Sequence, residues 1–307
     1  MEKTYSIIIP HRNMPKLLQR CLDSIPYRED VQVIIVDDNS DPEMVDFNAF
    51  PGAGRKGVEI IYTRESRICM GEDGKGYFTK RGKGPGYARN VALQKAQGKW
   101  IVFADADDFF HKDMLQILDA WKDSEYDIIF FDTDSVDSDT LAKVESRQAW
   151  ARTLPVETVR WVYYVPWGKL IRSELIKRHA IVFDEICGDE DVMFSIYSSL
   201  YARKVIWSSK LLYCSVVRSH SLWNSTDYDH LLNRLKVYIR LNKVLCRYKI
   251  KFPPLFSLGY VLSLSETPYR WKAWSFYLRH ERNMNICKHF VQALRFNIGQ
   301  KWLVKHV

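Results

Sequence analysis

The 307-residue sequence predicts an α/β protein: a mostly parallel sheet with helices on both faces, followed by a basic helical C-terminal region. Three observations predict it. Short apolar, β-branched runs alternate with stretches of helical spacing through the first half. Three of those runs end abruptly in polar or acidic clusters. Charge is divided along the chain: residues 230–307 carry 15 Lys+Arg against Glu266 and Glu281, a net +13, whereas residues 1–229 hold 30 against 35, a net −5.

The elements follow in order. Residues 6–10 (SIIIP) read as a strand, and Leu17, Leu18, Cys21, Leu22 and Ile25 then recur at helical spacing. Residues 31–36 (VQVIIV) are a second strand ending in the turn cluster Asp37-Asp38-Asn39-Ser40-Asp41-Pro42. Residues 59–62 suit a third strand. Residues 64–86 are rich in Gly and Lys and lack periodicity, which marks either a functional lid or a mobile connection. Residues 88–97 are helical up to Gly98. Residues 100–104 (WIVFA) form a strand that runs into Asp105-Ala106-Asp107-Asp108, and a helix at 114–121 and a buried strand at 128–131 follow. Beyond Tyr228 the pattern turns helical, with Leu231, Leu232, Leu235, Ile239 and Leu245 on one face. Residues 1–227 are therefore expected as one domain and 228–307 as a basic, aromatic-rich second region.

Composition excludes several classes. At 47% apolar and 27% charged residues the chain is neither disordered nor collagen-like. No apolar stretch approaches the roughly 18–20 residues that cross a bilayer, and the N-terminal apolar run is too short for a signal peptide. Six scattered cysteines without a CxxC pair suit free thiols in a reducing cytoplasm, the expected location.

In open α/β sheets ligands bind beyond the carboxyl ends of the strands. Here those ends carry Pro10-His11-Arg12-Asn13, Asp37-Asp38 and Asp105-Ala106-Asp107-Asp108. Two carboxylates one residue apart suit a hard divalent cation bridged to phosphate; the other reading is an acidic turn capping the helix near Met114. Asp37 or Asp38 suits a ribose hydroxyl or base N–H, or an ordinary turn. Gly84-Pro85-Gly86-Tyr87-Ala88-Arg89 opens a helix with glycines and a guanidinium, which suits a diphosphate, although it does not match GxGxxG.

These residues resemble family 2 glycosyltransferases of the GT-A fold, of the bacterial type that builds lipopolysaccharide, capsule and other surface glycans. The resemblance rests on SIIIPHRN, VIIVDDNSD, GYARNVALQKAQGKWIVFADADD, VPWGKLIRSELIKR and FDEICGDEDVMF, in that order through about the first 220 residues. It implies sugar transfer from a nucleoside diphosphate donor, here expected to be a UDP-sugar, with inversion and with Mg²⁺ or Mn²⁺. It further implies that Pro10, Arg12 and Asp38 or Asp37 line the base and ribose pocket and that Arg89 lies near the donor or the acidic loop. Asp105 would reach ribose or metal, and Asp107 would ligate the metal. Asp191 matches the general base, beside Glu190 and Asp189 in a run of three acids that leaves open which one points inward.

A sugar hydroxyl is a weak nucleophile that a positioned carboxylate activates, and the leaving diphosphate gathers charge that cations stabilise. Trp167 and Lys169 suit contacts to an acceptor sugar, with core packing the other reading for Trp167. His220 suits a metal or phosphate contact, or a solvated position.

The basic region, with Trp271, Trp274, Phe276, Tyr277, Phe290, Phe296 and Trp302, suits an anionic membrane surface or a helical subdomain with its own core; nucleic acid is not expected. The expected partners are the donor and a glycan or lipid-linked acceptor at the inner face of the cytoplasmic membrane. Two rival functions are weaker. A sugar-phosphate nucleotidyltransferase needs a glycine-rich triphosphate loop that the first strand lacks. A non-catalytic nucleic-acid-binding protein leaves the acidic strand ends at Asp37-Asp38 and Asp105–Asp108 unexplained, because acids repel phosphate.

Overall fold

A computed structural model of the chain describes residues 2–63, 67–70, 76–79, 83–186, 188–218, 228–250, 260–261, 264 and 268–280. The chain divides into two compact units, Met1–Ile186 with Phe194–Ser219, and Cys187–Met193 with His220–Val307. The second unit thus takes in the acidic segment Cys187–Met193, which no change of composition marks and which the expected division at 227/228 left with the first.

The first unit is built on strands β1 (Tyr5–His11), β2 (Val31–Asp37), β3 (Val58–Tyr62), β6 (Trp100–Phe103), β7 (Phe109–Phe110), β8 (Ile128–Asp137), β9 (Lys143–Val144), β10 (Lys169–Arg172) and β11 (Val205–Val217). They form one sheet in the order β3-β2-β1-β6-β10-β8-β11-β7, with β9 paired to β8. β3, β2, β1 and β6 run parallel. β10 lies antiparallel to both β6 and β8, β11 runs parallel to β8, and β7 closes the edge antiparallel to β11. The parallel character is therefore concentrated in the first four strands. Within residues 64–86, β4 (Arg67–Met70) and β5 (Gly76–Thr79) pair as a separate antiparallel ribbon; residues 64–66, 71–75 and 80–82 of that stretch lie outside the described residues.

Both faces of the sheet are covered, which explains why its strands read as unbroken apolar runs rather than alternating ones. On one face Tyr5, Ile7 and Ile9 of β1 pack with Val33, Ile35, Trp100 and Val102, beneath helices α1 (Pro15–Asp23) and α3 (Met114–Asp119). On the other face Ile8, Ile34, Val36, Ile101 and Phe103 pack with Ala88 and Ala92 of α2 (Pro85–Lys95). Phe103 also meets Phe183 and Phe194 edge-on, the latter from α6 (Glu190–Tyr201). The short helices α4 (Val156–Val159) and α5 (Ser173–Arg178) complete that side.

Gly98, just ahead of β6, shows how closely the chain approaches β1. A Cβ there would lie 2.4 Å from the Ser6 nitrogen and 2.6 Å from the Tyr5 carbonyl carbon. The Gly98 N–H donates instead to Ser6 Oγ at 2.8 Å, and Ser6 donates to Gln32 of β2 at 2.7 Å. A glycine is required by space, and it ties the three central strands together.

In the second unit α7 (Tyr228–Arg247) and α8 (Arg270–His280) share a core of Leu231, Leu235, Ile239, Val261, Leu264, Ala273 and Tyr277. The apolar face predicted at 231–239 is the buried one. Among the described residues no helix is long and apolar enough to cross a membrane.

Candidate active site

The register of β1 with β2 sets His11 beside Asp37, and β1 pairs Ile8 with Phe103 of β6, so three carboxyl ends share one rim. Pro10 and His11 are buried there, and Arg12 and Asn13 are half-buried just beyond. His11 Nδ1 lies 2.8 Å from an Asp37 carboxylate oxygen, and its Nε2 accepts from the Met14 N–H at 3.1 Å. That pattern places the proton on Nδ1. Asp37 also accepts from the Ser40 N–H and hydroxyl. Both oxygens of Asp37 are thus occupied in holding the two strand ends together, and His11 completes that clamp.

Asp38 does different work. Its carboxylate accepts from the Lys83 N–H at 2.9 Å and the Gly84 N–H at 2.7 Å, with Thr63 Oγ1 at 3.3 Å. These amides lead into α2. Gly84 itself has φ +97, a left-handed conformation that glycine adopts without strain, and Pro85 follows at the first helical turn. Asp38 therefore fixes where α2 begins, and α2 carries Arg89.

Arg89 is 3% exposed and donates to Asp105 at 2.7 Å. The Asp105 N–H donates to the Tyr213 hydroxyl at 2.8 Å, and that hydroxyl donates to Asp108 at 2.9 Å. Asp108 also accepts from the Val216 N–H at 2.7 Å. Asp108 is consequently an internal anchor that joins the acidic turn to β11. Burial pushes its carboxyl well up, and the Asp107 and Asp105 charges push it further.

Asp107 faces Arg218, which directly follows β11, and the two form an ion pair. Arg20 of α1 holds the Asp107 carbonyl at 2.6 Å. Burial raises the Asp107 pKa and the neighbouring Asp105 raises it again, while Arg218 opposes both. One carboxylate oxygen from each of Asp105, Asp107 and Asp108 lies within 4.8 Å of the others, a cluster that among the described residues has the ligand types and spacing for a metal ion. Asp108 is committed to Tyr213 and Val216, which leaves Asp105 and Asp107 as the pair that fits a hard divalent cation.

The run Asp189-Glu190-Asp191 opens α6 in the second unit. Asp189 is buried and ion-paired to Arg234 of α7 at 2.5 Å, and Glu190 is buried. Asp191, half-buried in the first helical turn, is the most exposed of the three.

Two expectations change. Trp167 is 4% exposed and stacks on Tyr213 with ring centroids 5.2 Å apart, so it packs in the core rather than lying open to an acceptor. Lys169 is equally enclosed: its ammonium donates to the Tyr163 carbonyl at 2.7 Å and to Ser195 Oγ at 3.0 Å. Both corrections have one cause, because Lys169 begins β10, an inner strand of the sheet. His220 lies outside the described residues. Arg218, Tyr213, Arg20 and Arg234 were not singled out from sequence; for Arg218 the only signal was its place beside His220.

Residues 6–182, more than half of the chain, match the family model for glycosyl transferase family 2. The chain belongs to this family. Among curated family 2 relatives, the poly(ribitol-phosphate) beta-N-acetylglucosaminyltransferase TarS of Staphylococcus aureus is 25% identical over 224 residues, covering 70% of this chain and 36% of TarS. The poly(ribitol-phosphate) beta-glucosyltransferase of Bacillus spizizenii is 27% identical over 230 residues, covering 73% of this chain and 34% of that protein. The chain thus spans about a third of the length of these relatives. The crystal structure of S. aureus TarS 1-349 in complex with UDP-GlcNAc superimposes with a TM-score of 0.62 at 19% identity, over 90% of this chain and 81% of that one. A mannosyltransferase from Pyrobaculum calidifontis, in complex with GDP-Man and Mn²⁺, gives 0.52 at 16% identity, over 98% and 81%. The family 2 chain therefore has the GT-A fold.

Proposed function

We propose that this family 2 chain transfers a sugar, with inversion, from a UDP-sugar to a hydroxyl of a bacterial surface polymer. The observation that carries the reading is the convergence of Asp105 and Asp107 beyond the carboxyl end of β6, each paired with a guanidinium. Two carboxylates, each balanced by a guanidinium, form a place where a cation and an anionic diphosphate can be held together. A divalent Mg²⁺ or Mn²⁺ held by Asp105 and Asp107 would neutralise charge on the leaving diphosphate.

The remaining steps belong to side chains. Pro10, Arg12 and Asp38 line the nucleoside side of the rim. Arg89 orients Asp105, and Arg218 is the cation nearest to Asp107 for stabilising phosphate charge. Asp191 takes the proton of the attacking hydroxyl while the acceptor oxygen bonds to the anomeric carbon and the bond to the diphosphate breaks on the opposite face. Glu190 is buried and complements the α6 dipole, so the base role rests with Asp191. The relatives named for poly(ribitol-phosphate) support a polyol-phosphate or glycan polymer as acceptor. The excess of cations in residues 230–307 supports peripheral attachment to an anionic membrane surface.

Family membership weighs against the nucleotidyltransferase and nucleic-acid readings. The test is a panel of UDP-, GDP- and dTDP-sugars with Mn²⁺, scored for binding and for nucleoside diphosphate release. Metal-dependent binding confined to UDP-sugars is expected, and binding of none of them sinks the reading.

A further inference from the structure

The basic C-terminal region contains no residue assigned to the chemistry, yet the segment Cys187–Met193, which carries Asp191, belongs to the same compact unit as that region. The link is specific. Arg234, on the second turn of α7, forms its ion pair with Asp189, two residues before Asp191. Both side chains are enclosed, at 11% exposure for Arg234 and 4% for Asp189. Tyr260 lies against the guanidinium, its ring centroid 5.7 Å away, and Tyr238 meets the Tyr260 ring edge-on at 5.5 Å. The arginine fork is therefore held on its aromatic side as well as on its acidic side.

The backbone explains why the pair matters. Gly188 has φ +85 and Asp189 has φ +55, two consecutive left-handed residues at the entrance to α6. Glycine adopts that conformation freely; a residue with a Cβ holds it only where its surroundings impose it. Asp189 is also the residue whose carbonyl accepts the Val192 N–H, at 3.4 Å, in the first turn of α6. Its conformation therefore sets the direction of the turn that presents Asp191. Three consecutive carboxylates repel one another, and burying one of them is costly unless it is paired. Arg234 supplies that cation to the one acid of the three that does not project from the helix.

We infer that Arg234 is a positioning residue for the general base: through Asp189 it fixes the turn that delivers Asp191 at the start of α6. The inference rests on the proposed role of Asp191. The basic region is then part of the catalytic apparatus as well as a candidate attachment, because α7 holds the loop-to-helix turn that the reaction uses.

The full-length chain is assayed for UDP release from UDP-N-acetylglucosamine with Mn²⁺, water serving as acceptor, alongside donor binding by calorimetry. In that reaction water oxygen bonds to the anomeric carbon, the bond to the diphosphate breaks, and the water proton passes to Asp191. Arg234→Gln is expected to lower kcat by roughly ten-fold or more while KM for the donor stays within about two-fold, since the turn is displaced and the donor rim is not. Arg234→Lys, which keeps the charge without the planar fork, should fall between the two. The double variant Asp189→Asn/Arg234→Gln should lose no more than Arg234→Gln alone, the mark of two residues acting as one unit. It also replaces the ion pair by two neutral amides of similar shape, so it is read in place of Arg234→Gln if the single variant does not fold. Wild-type kcat in a folded Arg234→Gln or in the double variant overturns the inference, as does a parallel rise in KM. Asp191→Asn is run beside them. If Asp191→Asn keeps turnover, the base assignment itself falls; if it is inactive while Arg234→Gln is normal, only the positioning role does.

Discussion

The Arg218 guanidinium rests on the Asp107 carboxylate, where a cation bound to the acidic turn would have to compete with it. A partly buried ion pair of this kind, with Arg218 34% and Asp107 15% exposed, contributes about 1 kcal/mol, equivalent to roughly a five-fold change in an equilibrium constant. Arg218→Gln is therefore expected to tighten Mn²⁺ binding measured without donor by up to about that factor. The same variant should weaken binding of the donor with Mn²⁺, because a cation near the diphosphate is lost. Calorimetric titration of Mn²⁺ alone, then of UDP-sugar with Mn²⁺, separates the two effects. A change of both in the same direction would contradict the competition.

Asp107→Ala removes one of the two carboxylates that fit the cation, and Mn²⁺-dependent donor binding should disappear. Asp108→Asn makes an informative contrast, since Asp108 is occupied by Tyr213 and Val216. It should lower the unfolding free energy read from urea denaturation by the cost of a disturbed buried hydrogen-bond network, about 1–3 kcal/mol, while leaving a measurable Mn²⁺ affinity. Equal loss of Mn²⁺ binding in the two variants would mean that Asp108 is a ligand.

Most of the rim was legible in the sequence because strands buried on both faces leave uninterrupted apolar runs, and the residue that ends such a run stands out. That is why β1, β2 and β6 were readable, with the acids that end β2 and follow β6. β11 was not, because its middle, around Ser208–Lys210, is polar where its register with β8 shifts. Without β11 there was no way to place Arg218 or Tyr213, whose partners are distant in sequence. Trp167 shows a different limit: a tryptophan serves a core or a sugar equally well, and the deciding neighbour, Tyr213, is brought to it only by the sheet. Of the three acids at 189–191, sequence could not rank which faced a partner, because the partner of Asp189 comes from α7.

Gly98→Ala tests the packing that sets β6 against β1. The new methyl group would meet backbone atoms of Tyr5 and Ser6, which have no freedom to turn aside in a central strand. Overpacking of this kind costs about 1–3 kcal/mol. Urea denaturation should show the unfolding free energy falling by that amount, and a value equal to wild type would mean the strand shifts without cost.

The basic region provides a separate test of attachment. On α8, Trp271 is 72% exposed and Leu278 is 47% exposed, while Ala273 and Tyr277 are buried on its other side. Vesicles containing anionic phospholipid should sediment the full-length chain at low salt and release it as ionic strength rises past the range where charges are screened. Trp271→Ser should weaken this binding without altering donor affinity. Equal sedimentation with neutral vesicles would point to apolar contact alone.

Asp119 links α3 to the N-terminal strands and gives the fold an acid limit. Arg28 donates to it at 2.6 and 2.9 Å, and the Tyr5 hydroxyl donates at 3.0 Å. Hydrogen bonding from Arg28 holds the Asp119 carboxyl below its ordinary value, against a smaller opposing effect of burial. A carboxyl depressed in the folded state stabilises that state above its unfolded pKa, near 3.8, and the stabilisation is lost as pH falls through the folded value. The pair is about one-third exposed, so solvent screening keeps the effect to a fraction of a kcal/mol up to about 1 kcal/mol. The urea midpoint of wild type should therefore exceed that of Asp119→Asn at neutral pH. The difference should narrow as pH drops below the ordinary carboxylate range, where both chains carry a neutral side chain at this position. A gap that stays constant on acidification would show that Asp119 contributes shape and hydrogen bonding but no charge.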